Sequence, residues 1–121
     1  MLSPSVALHE FKTLNFSFLR RAGTSTAALM LFHFYPGSVI FYPSYNERDY
    51  HTRAKYGKDP TNMLVMPDRL GMIDEERLLT PVRGKNAPLV ILDGTRRMRD
   101  IVYNNVIDLY NPFTKLFVLL G

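Results

Sequence analysis

The sequence predicts a small three-layer α/β domain with about four short, mostly parallel strands and flanking helices, preceded by an amphipathic N-terminal arm. Two observations predict this. Short runs such as Val39-Ile40-Phe41-Tyr42, Met63-Leu64-Val65-Met66, Leu89-Val90-Ile91-Leu92 and Leu116-Phe117-Val118-Leu119-Leu120 are apolar at every position. They lack the polar alternation of a half-exposed strand, so each needs cover on both faces. Between them lie segments with helical spacing or helix-capping chemistry, and strands that alternate with helices pair in parallel through right-handed crossovers.

In chain order, residues 1–23 carry Lys12, Arg20 and Arg21 against one acid, Glu10, with Ser and Thr interspersed. That composition is transit-like and points to a mitochondrial protein. Val6, Leu8, Phe11, Leu14, Phe16, Phe18 and Leu19 predict a frayed amphipathic helix, either packed on the core or serving as a docking arm. The domain boundary is therefore placed after residue 23, with a single α/β domain over residues 24–121. From Ala22 to Asn46 there is no Lys, Arg, Asp or Glu. The length suffices to cross a bilayer, but Pro36-Gly37 marks a turn and His33 interrupts the apolar span. A buried helix near 24–35 and a strand near 38–43 are favoured over membrane contact through 24–43.

From Ser44 the character is polar. Ser44 or Asn46 caps a short helix, Glu47 and Asp49 suit its positive end, Arg53 and Lys55 its negative end, and Gly57 stops it. Asn62–Pro67 reads as a strand that ends in the loop Asp68-Arg69-Leu70-Gly71, and Ile73–Leu79 as a short helix with acids early. Thr80 to Asn86, with Pro81 and Gly84, is a turn before the strand that ends in Asp93-Gly94-Thr95. The Thr95 hydroxyl is then expected to cap a helix with apolar positions at Met98, Ile101, Val102, Val106 and Leu109. Asn111-Pro112 ends it, and the apolar run over 115–120 is a final strand or a docking tail, the strand being preferred.

With 121 residues the chain is long enough to bury one core, and 46% hydrophobic against 21% charged residues excludes wholesale disorder. The absence of cysteine removes disulfides, thiolate metal sites and cysteine nucleophiles. His9, His33 and His51 are widely spaced, with no Walker lysine loop and no Gly-x-Gly-x-x-Gly, so no catalytic residue, cofactor or metal is assigned. A net charge of +4 favours an anionic partner.

In an open parallel sheet the strand carboxyl ends lie along one edge, where such folds place ligands. That edge would gather Ser44, Asn46, Asp68, Asp93, Gly94 and Thr95. Asp68 and Asp93 could share a hard cation there, although strand-end aspartates more often cap helices or close turns. Two basic surfaces accompany the edge. Arg96, Arg97 and Arg99 lie at the expected helix start, where cations oppose the helix dipole and call for an anionic partner. Tyr45, Tyr50 and Tyr56 could stack on bases while Arg48, Arg53, Lys55 and Lys58 meet phosphates, the bland alternative being a solvated helix face.

Two local likenesses bear on this edge. Asp93-Gly94-Thr95 resembles the end of the Asp-x-Asp-Gly-Thr signature of haloacid-dehalogenase-like phosphatases, but Ile91 stands at the nucleophile position, which excludes that chemistry. Val39-Ile40-Phe41-Tyr42-Pro43-Ser44, then Leu89-Val90-Ile91-Leu92-Asp93-Gly94-Thr95, then Asn111-Pro112 resembles the motif order of the DTW-domain RNA aminocarboxypropyltransferases, which use S-adenosylmethionine. Arg96 or Arg97 replaces the family's tryptophan, its cysteine cluster has no counterpart, and the likeness covers under a fifth of the chain.

The expectation is a non-catalytic accessory subunit of a mitochondrial protein or ribonucleoprotein assembly, with other protein subunits and RNA as partners. The alternatives are a small S-adenosylmethionine- or nucleotide-dependent enzyme acting on RNA at the strand edge, and a single-span subunit of a respiratory membrane complex.

Overall fold

The computed structural model describes residues 13–16, 21–53 and 60–121, and their strands form one five-stranded, wholly parallel sheet. The elements are β1 (Thr13–Phe16), α1 (Arg21–Phe34), β2 (Val39–Tyr42), α2 (Tyr45–Arg53), β3 (Met63–Val65), α3 (Glu75–Leu78), β4 (Ala87–Asp93), α4 (Asp100–Tyr110) and β5 (Thr114–Leu120). The spatial order is β1-β5-β4-β2-β3. β4 lies at the centre, with Val90 beside Val39 of β2 and Phe117 of β5. Its positions from Leu89 to Asp93 are all buried, which explains why the strand is apolar up to Leu92.

The two faces divide the apolar runs by parity. Val39, Phe41, Val90, Leu92, Phe117 and Leu119 pack under Val102, Val106 and Tyr110 of α4 and Leu78 of α3. Ile40, Tyr42, Leu89, Ile91, Val118 and Leu120 face the other way, against Ala28 and Leu29 of α1. The expected three-layer α/β architecture is therefore present, with five strands rather than about four.

The additional strand is β1, which pairs in register Thr13–Phe117 to Phe16–Leu120. It stands inside the segment expected to be a frayed helix. Leu14, Phe16 and Phe18 alternate with polar residues, and the open side of β5 offers a backbone ladder that a lone helix turn cannot. The remainder of the amphipathic pattern, residues 1–12 and 17–20, lies outside the described residues. Across 24–43 the chain forms α1, a turn and β2, and no helix among the described residues is long and apolar enough to cross a membrane.

The start of α4 also differs from expectation. The helix begins at Asp100, with Arg99 flanking it, while Thr95–Arg97 forms a separate 3-10 turn. Thr95 does not cap the helix. Its hydroxyl donates to the Leu120 carbonyl at 3.3 Å, tying the turn to the end of β5.

Candidate functional site

All five strands point their carboxyl ends to one edge, and the sheet order places a switch point there. The chain steps from β2 outward to β3, then returns to β4 on the opposite side of β2. The connections leaving β2 and β4 accordingly part to opposite faces. His51 of α2 stacks on Tyr42, on the α1 face, whereas Tyr110 of α4 meets Phe41 edge-on across the other face. A crevice at such a divergence is where open α/β folds bind ligands.

The floor of this edge is the turn after β4. Gly94 adopts φ +87°, a left-handed conformation, and its N–H donates to the Leu120 carbonyl at 2.8 Å. A Cβ here would lie 3.1 Å from Pro43 Cγ and 2.9 Å from a guanidinium nitrogen of Arg97. Glycine thus allows the loops after β2 and β4 to touch. Above them Arg97 pairs with Glu47 of α2, bridging the two loops. The dipole argument from sequence is corrected by these positions. Arg96 and Arg97 belong to the separate turn Thr95–Arg97 and the acid Asp100 occupies the first turn of α4, which leaves Arg99, the N-cap residue, as the one arginine of the three at the positive end of the dipole.

Beneath the rim, Tyr42 and Asp93 follow the paired residues Phe41 and Leu92 on neighbouring strands and share the α1 face. Both are buried. Tyr42 and His51 stack with centroids 5.1 Å apart and planes 13° apart, and Tyr50 meets His51 edge-on at 5.2 Å. Burial pushes the Tyr42 phenol above its usual range and the Asp93 charge adds to the rise. Burial lowers His51, and Asp93 opposes that fall in part.

On the α4 face a trough of two adjoining depressions runs along the edge, sharing Pro43, Met66, Pro67 and Asp68. The larger, about 370 Å³, is mainly apolar, lined by Leu64, Met72 and Leu78 with Arg48 and Arg77 at its walls. The smaller, about 220 Å³, is mainly polar and walled by Arg97 and Arg99. Arg48 is anchored by its Nε, which donates to the Met63 carbonyl at 2.7 Å, and it lies 3.2 Å from Asp49.

The predicted residues fall into four groups. Ser44 serves the expected cap, accepting from the Glu47 N–H at 3.4 Å, and also lines the trough with Tyr45. Asp68, Arg97 and Arg99 line the trough, and Asn46, Tyr50 and Arg96 are exposed near it in sequence. Asp93, Gly94 and Thr95 are buried under the rim. Lys55, Tyr56 and Lys58, together with the Arg53 side chain, lie outside the described residues. Asp93 sits in the sheet on the α1 face while Asp68 is exposed in the trough, and among the described residues no group of three or more His, Asp or Glu could hold a metal.

Sequence reading missed Tyr42, His51, Met72 and Arg77. Tyr42 carried one signal, as the only residue with a polar atom in its run. Arg77 carried none, because its place in the trough depends on how the loop after β3 folds back.

These features define an open parallel α/β domain with a cationic trough and a buried polar cluster at its switch point. Comparison with family models, characterised proteins and solved structures gives no match to the chain.

Proposed function

We propose that this chain is an RNA-binding accessory subunit of a ribonucleoprotein assembly, holding RNA along the carboxyl edge of its sheet. The observation that carries the reading is the trough, where Arg48, Arg77, Arg97 and Arg99 from α2, α3 and the turn before α4 converge on one edge. Phosphate contacts from such residues supply most sequence-independent affinity, and the exposed rings of Tyr45 and Tyr50 offer stacking surfaces for bases. The transit-like composition of residues 1–23 supports a mitochondrial location.

The test is titration of single-stranded RNA at several salt concentrations. Binding should weaken with salt, and the R77Q/R97Q/R99Q variant should bind at least about tenfold more weakly, with its salt slope reduced by about 2 for three lost phosphate contacts. An unchanged affinity in a folded variant overturns the reading.

The cluster of buried Tyr42 and Asp93 with half-buried His51 stacked on Tyr42 favours a second reading, a small nucleotide- or S-adenosylmethionine-dependent enzyme acting on RNA. Calorimetric titration with S-adenosylmethionine and with ATP tests it, and absence of binding by both removes it.

A further inference from the structure

We infer that the trough is a mononucleotide site, with the base in the larger depression, the ribose at Asp68 and the 5′-phosphate between Arg97 and Arg99. The inference rests on the reading that this edge engages nucleic-acid chemistry, and it specifies the unit that the edge holds.

The order of surfaces along the trough carries it. The larger depression, about 370 Å³, falls within the usual range of small-ligand sites, and its mainly apolar lining suits the faces of a flat heterocycle, with Arg48, Asp74 and Arg77 at the walls for the polar edge of the base. Met72 is 53% exposed, so its thioether is available to a ring, and half-buried Leu64 lines the same depression. At the junction with the smaller depression stands Asp68, which lines both and is exposed. A carboxylate only accepts hydrogen bonds, so it suits the vicinal hydroxyls of a ribose and repels a phosphate placed at the same point. Beyond it the mainly polar depression brings Arg97 and Arg99 together, and a guanidinium presents its donors in the planar fork that a phosphate accepts. Apolar wall, acceptor and cation thus follow in the order base, sugar, phosphate. Arg97 already pairs with Glu47, so a phosphate joins an existing charge network and the second cation, Arg99, supplies the added attraction.

The test compares adenosine 5′-monophosphate, adenosine and inorganic phosphate on the full chain by calorimetry, with RNA binding measured in parallel. The nucleotide should bind at least about tenfold more tightly than either fragment, because each compartment contributes. M72D, at an exposed position, should weaken nucleotide and adenosine binding by about fivefold or more and leave phosphate unchanged. R99Q should weaken nucleotide and phosphate and leave adenosine unchanged. D68N should weaken the nucleotide and spare phosphate. Thermal melting of each variant confirms its fold. If the nucleotide binds no better than phosphate, or M72D has no effect on it, the inference falls, even where RNA still binds. If the nucleotide binds as described while RNA does not, the inference stands and the RNA reading falls.

Discussion

Two tyrosines bury their phenols on this sheet with opposite outcomes. The Tyr110 hydroxyl donates to the Leu78 carbonyl, fixing α4 to the end of α3, whereas the Tyr42 hydroxyl is buried without a hydrogen-bond partner among the described residues. A net hydrogen bond contributes about 1 kcal/mol, and a buried carbonyl left unpaired costs about 1–3 kcal/mol. Y110F is therefore expected to destabilise by about 1–2 kcal/mol in urea denaturation. Y42F removes a hydroxyl that pays desolvation with no bond in return, and should be neutral or stabilising by up to about 1 kcal/mol. Equal losses in both variants would contradict the assignment. Sequence showed Tyr42 as the end of an apolar run and Tyr110 as a helical residue before Asn111-Pro112. It could not show which phenol reaches a partner, because that depends on a carbonyl 32 residues away.

α4 shows how an element can be legible while its phase is not. The apolar spacing over Met98, Ile101, Val102, Val106 and Leu109 marked a helix, and a helix is there. Its start, however, is at Asp100 rather than Thr95, so Met98 packs from the preceding loop. Val102, Val106 and Tyr110, each four residues apart, form the buried stripe against the sheet, while Ile101 is 59% exposed. V106A is expected to cost about 2 kcal/mol through the lost methyls and the cavity they leave, and I101A to stay within about 0.5 kcal/mol. Denaturation midpoints of the two variants check the phase, since a comparable cost at Ile101 would place it on the buried face. The decisive interaction is again non-local, the hydrogen bonds from Gly94 and Thr95 to Leu120 that pull the turn onto β5 and delay the helix.

At the scale of the whole molecule the buried groups set a pH window. His51 is lowered from 6.5 in the folded state, so the unfolded chain takes up its proton more readily and this contribution to stability is lost as pH falls below about 6.5. Tyr42 and Tyr110 are raised from 10.0, so the unfolded chain releases their protons first and stability falls as pH rises past about 10. Denaturation midpoints measured from pH 5 to 10.5 should show both limbs. H51Q should flatten the change between pH 7 and 5 relative to the unsubstituted chain, and an unaltered profile would show that other groups govern it.

The sequence alone pointed to the α/β class, since short runs apolar at every position, bounded by turn residues and alternating with helical segments, suit strands covered on both faces, and four of the five strands are those runs. It also located the carboxyl edge and narrowed the cap of α2 to Ser44 or Asn46, because these follow from local chemistry and chain direction, and the Glu47 N–H donating to Ser44 chose between the two. Only the tertiary structure decided that Thr13–Phe16 joins the sheet, that the crossing falls between β2 and β4, and that Asp68, Met72, Arg77 and Arg99 share one trough. Those relations are set by backbone pairing and loop return between segments tens of residues apart, where no single stretch of sequence holds both partners.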